Sequence, residues 1–135
     1  MIKWDNSWNI DSGTIDYQHK KLIIIVNKIL SGNNDIVESL KDLIDYTSFH
    51  FLDEQRVMTN SGYPKSLFEE HIKEHIKLKS SLLDYSFALT SYTLKNEEIN
   101  IKEELIKFVE VWYINHFLQT DKKFADWLKE ADSTK

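Results

Sequence analysis

Residues 49–58 read FHFLDEQRVM and place His50 and Glu54 four positions apart among apolar side chains. On a helix, residues four apart lie on one face, about one turn from each other. The rest of that face is suited to burial, and a buried carboxylate is unfavourable unless it is paired or bound to a metal ion. The stretch therefore predicts that Glu54 meets a cationic partner in the interior.

The histidines of the chain share one property, which is their position on the apolar stripe of a predicted helix. The five are His19, His50, His71, His75 and His116. A lone histidine on such a stripe is more often a hydrogen-bonded core residue than a ligand. Because all five lie on the stripes and none is left for the surface, a shared metal site is the better interpretation.

Two further spacings bear on that site. The segment HIKEH puts His71 and His75 on one helix face, where both imidazoles could bind the same ion. His116 is followed by FLQTD, so Asp121 lies five positions on, about 140° around a straight helix from the histidine. Either the helix breaks near residues 118–120 and brings Asp121 back, or Asp121 is a surface residue. The spacing alone leaves both open.

Imidazole and carboxylate ligands without sulfur suit iron, manganese, zinc or nickel. The candidate side chains are too many for one ion. If two six-coordinate ions share two bridging carboxylates and a bridging hydroxide, the five histidines leave one position open for a small molecule such as dioxygen. This set has fewer carboxylates than the carboxylate-rich di-iron bundles, which should favour the reduced metal and hence dioxygen binding over substrate oxidation.

The elements that must position these residues are four long amphipathic helices, which favour an all-α, antiparallel up-down four-helix bundle. Apolar spacing predicts the first at about 14–30 and the second at about 35–59. The third would begin at a capping box of Ser66 and Glu69.

The fourth helix would follow a polar linker at 91–99, with Asn100 and Glu103 as its caps. Residues 1–13 would form a non-helical arm whose tryptophans, Trp4 and Trp8, pack on the body. A short terminal helix is expected at 121–131.

The bulk composition fits a single domain of 135 residues, with 41% hydrophobic residues and only 3 glycines and 1 proline. A formal net charge of −5 without a basic cluster weighs against nucleic acid or an anionic membrane surface as a partner. The absence of cysteine excludes iron–sulfur clusters and thiolate zinc sites. No apolar segment has the length of a signal peptide or membrane span, which favours a cytoplasmic protein. We expect a monomer or a weak oligomer.

The motifs together resemble those of the hemerythrins, specifically the single-domain bacterial members. The resemblance runs from WDNSWNIDSGTIDYQHKKL through HFLDEQRVM and YPKSLFEEHIKEH to WYINHFLQTDKKFADWL, which is nearly the whole chain. The order His, HxxxE, HxxxH and HxxxxD fills every ligand position of the family and is far more specific than a lone HxxxH. The chain would form one such domain over residues 1–135, with the bundle at 14–118.

The resemblance implies two iron ions per chain, bridged by two carboxylates and a hydroxide or oxide. In the family, dioxygen binds end-on at the five-coordinate iron as a hydroperoxide and leaves again. The resemblance also makes Asp121 a ligand rather than a surface residue. By position, one iron would be held by His71, His75 and His116, the other by His19 and His50, and both by the bridging Glu54 and Asp121.

The dioxygen pocket is expected to contain four aromatic residues, namely Phe49, Trp112, Tyr113 and Phe117. Tyr113 departs from the family, which usually has leucine three positions before the last histidine. Its ring could fill the leucine's space with the hydroxyl at the surface, or its hydroxyl could lie near bound oxygen and alter the lifetime of the oxygenated form. Gln18 and Glu74 adjoin ligands and could be their hydrogen-bond partners or could face solvent.

The function that the resemblance implies is non-enzymatic, reversible dioxygen binding for storage, transport or delivery to an oxygen-consuming enzyme. The alternatives are an oxygen or redox sensor that signals to a separate partner, a di-iron enzyme acting on peroxide or nitric oxide, and iron storage. The short sequence after the bundle weighs against a fused signalling domain. The absence of an added cysteine-bearing segment weighs against the relatives linked to iron–sulfur repair.

Overall fold

Five α-helices carry most of the chain in the computed structural model. It describes residues 2–10, 13–32, 35–91 and 95–133, and within these ranges the side chains of all but residues 95–99, 117–118 and 132–133. The helices are α1 (Thr14–Ser31), α2 (Ile36–Ser61), α3 (Lys65–Thr90), α4 (Lys95–Asn115) and α5 (Lys122–Ser133), with a π-helical segment (His116–Asp121) between the last two.

Short turns reverse the chain between the first three helices. Gly32 and Gly62 follow α1 and α2 with φ of 68° and 75°, a left-handed conformation that glycine adopts without steric cost. Asp35 then caps α2, because its carboxylate accepts from the backbone N–H groups of Val37 and Glu38. Long helices joined by such short turns must run antiparallel to their neighbours.

The helices close into a bundle, because α1 packs against α2 and α4, and α3 packs against the same two helices. Leu22, Leu40, Leu82 and Leu105 meet in its centre and are at most 1% exposed. The predicted antiparallel four-helix bundle is confirmed. In the part of the chain that the structure describes, no helix combines the length and the apolar character that crossing a bilayer would require.

The third helix does not begin as predicted. It begins at Lys65, directly after Pro64, whose fixed φ suits the residue before a helix and whose missing N–H costs nothing there. Ser66 therefore lies inside the first turn, and no side chain caps this end. The predicted capping box with Glu69 is wrong.

The fourth helix also starts earlier than its caps suggested. It begins at Lys95, so the linker predicted over 91–99 is too long, and residues 92–94 of it lie outside the described residues. Asn100 and Glu103 are inside the helix and do not cap it. The sequence from Lys95 contains no glycine or proline and several good helix formers, which lets the helix extend through a polar stretch.

The N-terminal arm is non-helical as predicted over its described residues, apart from one 3₁₀ turn at Asn6–Trp8. It is tied to α1 by a reciprocal pair of bonds, each 2.9 Å: the N–H of Ile2 donates to the Asn27 amide oxygen, and the Asn27 amide donates back to the Ile2 carbonyl. The rings of Trp4 and Trp8 meet edge to face at 5.6 Å and pack against the main core.

Candidate metal centre

Five imidazoles and two carboxylates meet inside the bundle, and none of these side chains is more than 3% exposed. Helix α1 supplies one of them, α2 and α3 two each, and the π segment two. Their donor atoms form two groups in which every atom lies within 4.8 Å of the others. One group is Glu54, His71, His75, His116 and Asp121, and the other is His19, His50 and Glu54.

The carboxylate of Glu54 belongs to both groups because its two oxygens point in different directions. Oε1 lies 2.6 Å from Nε2 of His71 and 3.2 Å from Nε2 of His75. Oε2 lies 3.1 Å from Nε2 of His50 and 3.2 Å from Nε2 of His19. Glu54 thus separates a three-histidine set (His71, His75 and His116) from a two-histidine set (His19 and His50).

Asp121 repeats this division. Its Oδ1 lies 2.8 Å from Nε2 of His116 and 3.2 Å from Nε2 of His71, both in the three-histidine set. Its Oδ2 lies 3.2 Å from Nε2 of His19, in the two-histidine set. Each buried carboxylate therefore presents one oxygen to each set.

The π segment explains how Asp121 reaches this position. In a π-helix the backbone bonds run from i to i+5, so residues five apart lie about one turn apart rather than on different faces. His116 and Asp121 are the first and last residues of the segment, and Asp121 is 1% exposed. The surface alternative is wrong, and Asp121 is brought back to the centre as the other alternative expected, through π-helical geometry at His116–Asp121 rather than through a break in the helix. The terminal helix predicted at 121–131 instead continues directly from the π segment as α5.

The charges of the cluster are strongly coupled. The surrounding histidine nitrogens outweigh the effect of burial and hold the pKa of Glu54 well below its ordinary value. Burial opposes protonation of His71 and His116 too, but the nearby carboxylates prevail and raise their pKa values to about 10 and about 9. For His75 burial dominates and lowers the pKa to about 4. Without metal, protons on some imidazoles balance the two carboxylates.

Several buried donor atoms fit a metal ion better than they fit this protonated arrangement. Among the described residues, Nε2 of His75, Nε2 of His116 and both carboxylate oxygens of Asp121 have no hydrogen-bond partner. They lie close to carboxylate oxygens or imidazole nitrogens, as the distances above show, but are not aligned for hydrogen bonds. Buried polar atoms are rarely left in this state in folded proteins, whereas nitrogen and oxygen donors converging on one point suit first-row metal ions. The cluster passes this chemical test for cations.

Gln18 orients one of the candidate ligands. It is 3% exposed, and its amide oxygen accepts a 2.8 Å hydrogen bond from Nδ1 of His50. With its proton on Nδ1, the His50 ring presents the lone pair of Nε2 to the centre. The Gln18 amide nitrogen donates in turn to Asp53 at 2.7 Å, which fixes the amide. The sequence allowed Gln18 either to hydrogen-bond a candidate ligand or to face solvent, and the structure shows the hydrogen bond.

Glu74 lies on the other side of the cluster and is 45% exposed. One of its oxygens is 3.9 Å from Nδ1 of His116, and the other accepts a hydrogen bond from the hydroxyl of Thr120. The bond joins α3 to the π segment. These contacts lower the pKa of Glu74, chiefly through His116, so the side chain combines solvent contact with a position beside the centre.

Two aromatic rings cover the three-histidine set. Phe51, 3% exposed, stacks on the ring of His75 at 3.6 Å, and Trp112 stacks on His116 at 4.5 Å. Phe49, which the sequence analysis placed in the pocket, is 52% exposed with its ring near Tyr46, so it cannot keep water from the centre. That assignment is corrected in favour of Phe51.

The Phe117 side chain lies outside the described residues.

Sequence reasoning could have found Phe51, which stands four positions after Thr47 and three before Glu54 on the buried stripe of α2.

Tyr113 is 1% exposed, and its hydroxyl lies 2.7 Å from the hydroxyl of Thr47, which is fully buried. The alternative with the hydroxyl at the surface is therefore wrong. Burial raises the pKa of Tyr113, so the phenol stays protonated. Tyr113 stands three positions before His116 and Thr47 three positions before His50. The hydroxyl pair consequently joins α2 and α4 about one helical turn from the candidate ligands.

Fold and site together define a helical-bundle protein with a buried imidazole and carboxylate centre suited to cations. The family model described as Hemerythrin HHE cation binding domain matches residues 11–128. The chain belongs to the hemerythrin family, and the resemblance in the motifs is confirmed.

Curated relatives carry the name bacteriohemerythrin. One from Methylococcus capsulatus is 31% identical over 86% of this chain and 87% of its own length. One from Clostridium acetobutylicum is 28% identical over 93% of this chain and its full length. A third, from Stenotrophomonas maltophilia, is 25% identical over 96% of this chain and 82% of its own length. The similarity thus extends over nearly the whole chain.

Proposed function

We propose that the chain holds two iron ions at this centre and, in that state, binds dioxygen reversibly. One observation carries the proposal: Glu54 and Asp121 each divide their two oxygens between the three-histidine set and the two-histidine set. A carboxylate that serves one ion has no need of this division, whereas one that bridges two ions requires it. Membership of the hemerythrin family supports iron as the metal.

The uneven number of histidines supports an open position on one side. His71, His75 and His116 would hold one ion, and His19 and His50 the other, with Glu54 and Asp121 shared. The ion on the two-histidine side would have fewer protein ligands, so dioxygen would bind there. Two ferrous ions would supply the two electrons that dioxygen takes up on binding and returns on release.

The residues around the centre would protect this chemistry. Gln18 keeps the proton of His50 on Nδ1 and so keeps Nε2 available for the ion. Phe51 and Trp112 cover the rings of His75 and His116 and limit the approach of water on that side. A dry site slows protonation of bound oxygen species, and slow protonation favours release of dioxygen over irreversible oxidation of the metal.

The finer role that we propose is storage or delivery of dioxygen to an oxygen-consuming enzyme, without catalysis by the chain itself. The support is indirect: the cluster uses every histidine of the chain as a candidate ligand and offers two carboxylates where carboxylate-rich di-iron bundles offer four.

An optical titration tests the proposal. The protein is loaded with ferrous iron without oxygen, bound iron is counted, dioxygen is admitted, and the solution is then purged with argon. We expect two irons per chain and a visible charge-transfer band that appears with dioxygen and disappears on purging. A band that decays to a ferric state insensitive to argon would contradict reversible binding and favour a sensor or a redox enzyme.

A matched pair of variants links the result to the cluster. Glu54→Gln removes one carboxylate shared by both sets, and we expect it to bind fewer than two irons. Glu69→Gln makes the same change of charge at a side chain that is 58% exposed on α3, and we expect it to bind two. Equal iron counts in the two variants would contradict a bridging role for Glu54.

A further inference from the structure

A cavity of about 210 Å³ lies where α3 meets the π segment and α5. Its wall includes the buried ring of His71 together with Glu70, Glu74, Thr120 and Lys123. The side chains of Glu70 and Lys123 are 68% and 57% exposed, so the cavity extends to the protein surface. It therefore connects solvent with a histidine whose Nε2 contacts Glu54 and Asp121.

Two carboxylates are placed in succession along this cavity. Glu70 stands at the exposed end, and Glu74, one turn further along α3, has an oxygen 3.9 Å from Nδ1 of His116. His71 is 3% exposed, and among the described residues its Nδ1 has no hydrogen-bond partner. The side chains that follow one another from the surface inward are thus an exposed carboxylate, a half-exposed carboxylate and a buried imidazole.

The cavity has room for a hydrated ion. A water molecule needs roughly 10–15 Å³ of such space, so a volume of about 210 Å³ holds a divalent cation with much of its hydration shell. Divalent first-row ions bind both carboxylate oxygen and imidazole nitrogen. By their exposure, an incoming ion would meet the carboxylates of Glu70 and Glu74 before the buried imidazole of His71.

A second cavity, of about 480 Å³, also reaches the centre at His116 and shares Glu74. Apolar side chains form much of its wall, including Phe108, Val111 and Trp112. Among the described residues of this wall, the one carboxylate is the Glu74 that it shares with the smaller cavity, and the wall also carries the cationic Lys107. The smaller cavity is the better route for an ion.

We propose that the cavity beside His71 is the passage by which divalent iron reaches and leaves the centre, with Glu70 and Glu74 binding the ion in transit. The proposal rests on the two-iron function proposed above. The ammonium of Lys123 lies 3.7 Å from Glu70. It repels the cation and partly neutralises Glu70, so it weakens the attraction at the outer end of the cavity.

Passage and ligation predict different results for a substitution. A residue that binds the ion only in transit lowers the barrier in both directions, so its loss slows uptake and release equally and leaves the dissociation constant unchanged. A residue that acts on the bound ion changes the dissociation constant. The ratio of the two rates therefore identifies the role.

The experiment uses the full chain loaded with ferrous iron without oxygen. Release is followed as the rate of iron transfer to an excess of chelator, affinity by equilibrium competition with a weaker chelator, and uptake by stopped-flow mixing of stripped protein with ferrous iron. The test variants are Glu70→Gln, which touches no candidate ligand, and Lys123→Gln. Glu69→Gln is the control, because it makes the same charge change as Glu70→Gln one residue away and outside the cavity wall.

For Glu70→Gln we expect uptake and release to be slower by about three- to tenfold, since one unit charge acts on a divalent ion at close range in screened solvent. For Lys123→Gln we expect both rates to rise. The dissociation constants should match that of the unchanged protein. Glu74→Gln should slow both rates as well, and its thermal midpoint reports any loss of the bond to Thr120.

Rates for Glu70→Gln equal to those for Glu69→Gln would overturn the proposal, as would a change in affinity with one rate unaltered. A parallel loss of rates in both variants would indicate general attraction by the net charge and would also overturn it. If the unchanged protein does not bind two irons, the proposed function fails. If it binds two and the Glu70 variant exchanges iron at the normal rate, only the passage fails.

Discussion

The Thr47–Tyr113 hydroxyl pair can be tested by removing its two members separately and together. The oxygens lie 2.7 Å apart, with Thr47 fully buried and Tyr113 1% exposed. Thr47→Val and Tyr113→Phe each delete one oxygen with little change in shape. Each single substitution removes this bond and leaves one of the two hydroxyls in the interior, whereas the double substitution leaves neither.

The expected magnitudes follow from that difference. A buried polar group left without its partner costs about 1–3 kcal/mol, whereas replacing both partners with apolar groups of similar shape is nearly neutral. Each single variant should therefore lose about 1–3 kcal/mol of unfolding free energy, and the double variant, which is nearly neutral, should lose about 2–6 kcal/mol less than the sum of the two. For a chain of this size each kcal/mol shifts the thermal midpoint by about 3–5 °C.

Urea unfolding of the iron-loaded proteins, followed by circular dichroism at 222 nm, measures these differences. Tyr17→Phe is the control, because that ring is 59% exposed and its hydroxyl should contribute less than about 0.5 kcal/mol. Additive losses, with the double variant as unstable as the sum of the singles, would refute the reasoning, since they would mean that the two hydroxyls do not depend on each other.

The same pair would affect the lifetime of the proposed oxygenated form. Tyr113 places a polar ring about one turn from the candidate ligands. Tyr113→Leu should change the rate at which the oxygenated protein decays to the ferric state, measured from the loss of its charge-transfer band in air. Equal decay of the two proteins would show that the Tyr113 hydroxyl does not act on bound oxygen.

Three further predictions follow from the contacts around the centre. Gln18→Leu removes the acceptor for Nδ1 of His50, so iron affinity measured by chelator competition should fall by about 10- to 100-fold; unchanged affinity would contradict the orienting role. In the folded metal-free protein the pKa values of His71 and His116 are raised from 6.5 to about 10 and about 9. Protonation of these two imidazoles therefore stabilises the metal-free fold. This stabilisation is complete below pH 6.5 and is lost as the pH rises through the raised values. Iron must displace the same protons, so loading at pH 7 should release protons, detected by calorimetry in buffers of different ionisation enthalpy, and affinity should tighten as pH rises. Removing iron should lower the thermal midpoint, because the candidate ligands then depend on protons alone; equal midpoints with and without metal would refute this.

The bundle could be predicted from sequence because its helices bury regular stripes. Leu22, Val26 and Ile29 recur at helical spacing on α1, and residues of this kind are the ones found in the core. The helix starts were less predictable, because serine and asparagine are typical capping residues but also occur inside helices, as Ser66 and Asn100 do. Pro64 and the helix-forming stretch from Lys95 determined the starts instead, and local propensity of this kind is a weak guide.

The surroundings of the centre were harder to predict than the cluster itself. All five histidines of the chain are buried, so a histidine marks the interior here. Phenylalanine, in contrast, occurs on both the buried and the exposed side of α2. Phe49 and Phe51 both adjoin His50 in sequence, yet one is 52% exposed and the other 3%. On a helix, neighbouring residues point about 100° apart. Adjacency in sequence to His50 therefore does not show which of the two rings faces the centre. The partners of Thr47 and Gln18 depend on other helices and have no signal in a single segment.

Asp121 shows why the last candidate ligand could not be derived from spacing. A straight α-helix would turn Asp121 away from His116. The residues between them include neither glycine nor proline, so the sequence does not indicate a departure from α-helical geometry. The change is therefore tertiary in origin. The Thr120 hydroxyl is bonded to Glu74 on α3, and the carboxylate of Asp121 lies against histidines of α1 and α3, so contacts with the rest of the bundle compensate for the less favourable π geometry. A local departure from helical geometry, held by contacts from two other helices at a cluster of buried charge, is what a functional constraint on the backbone predicts.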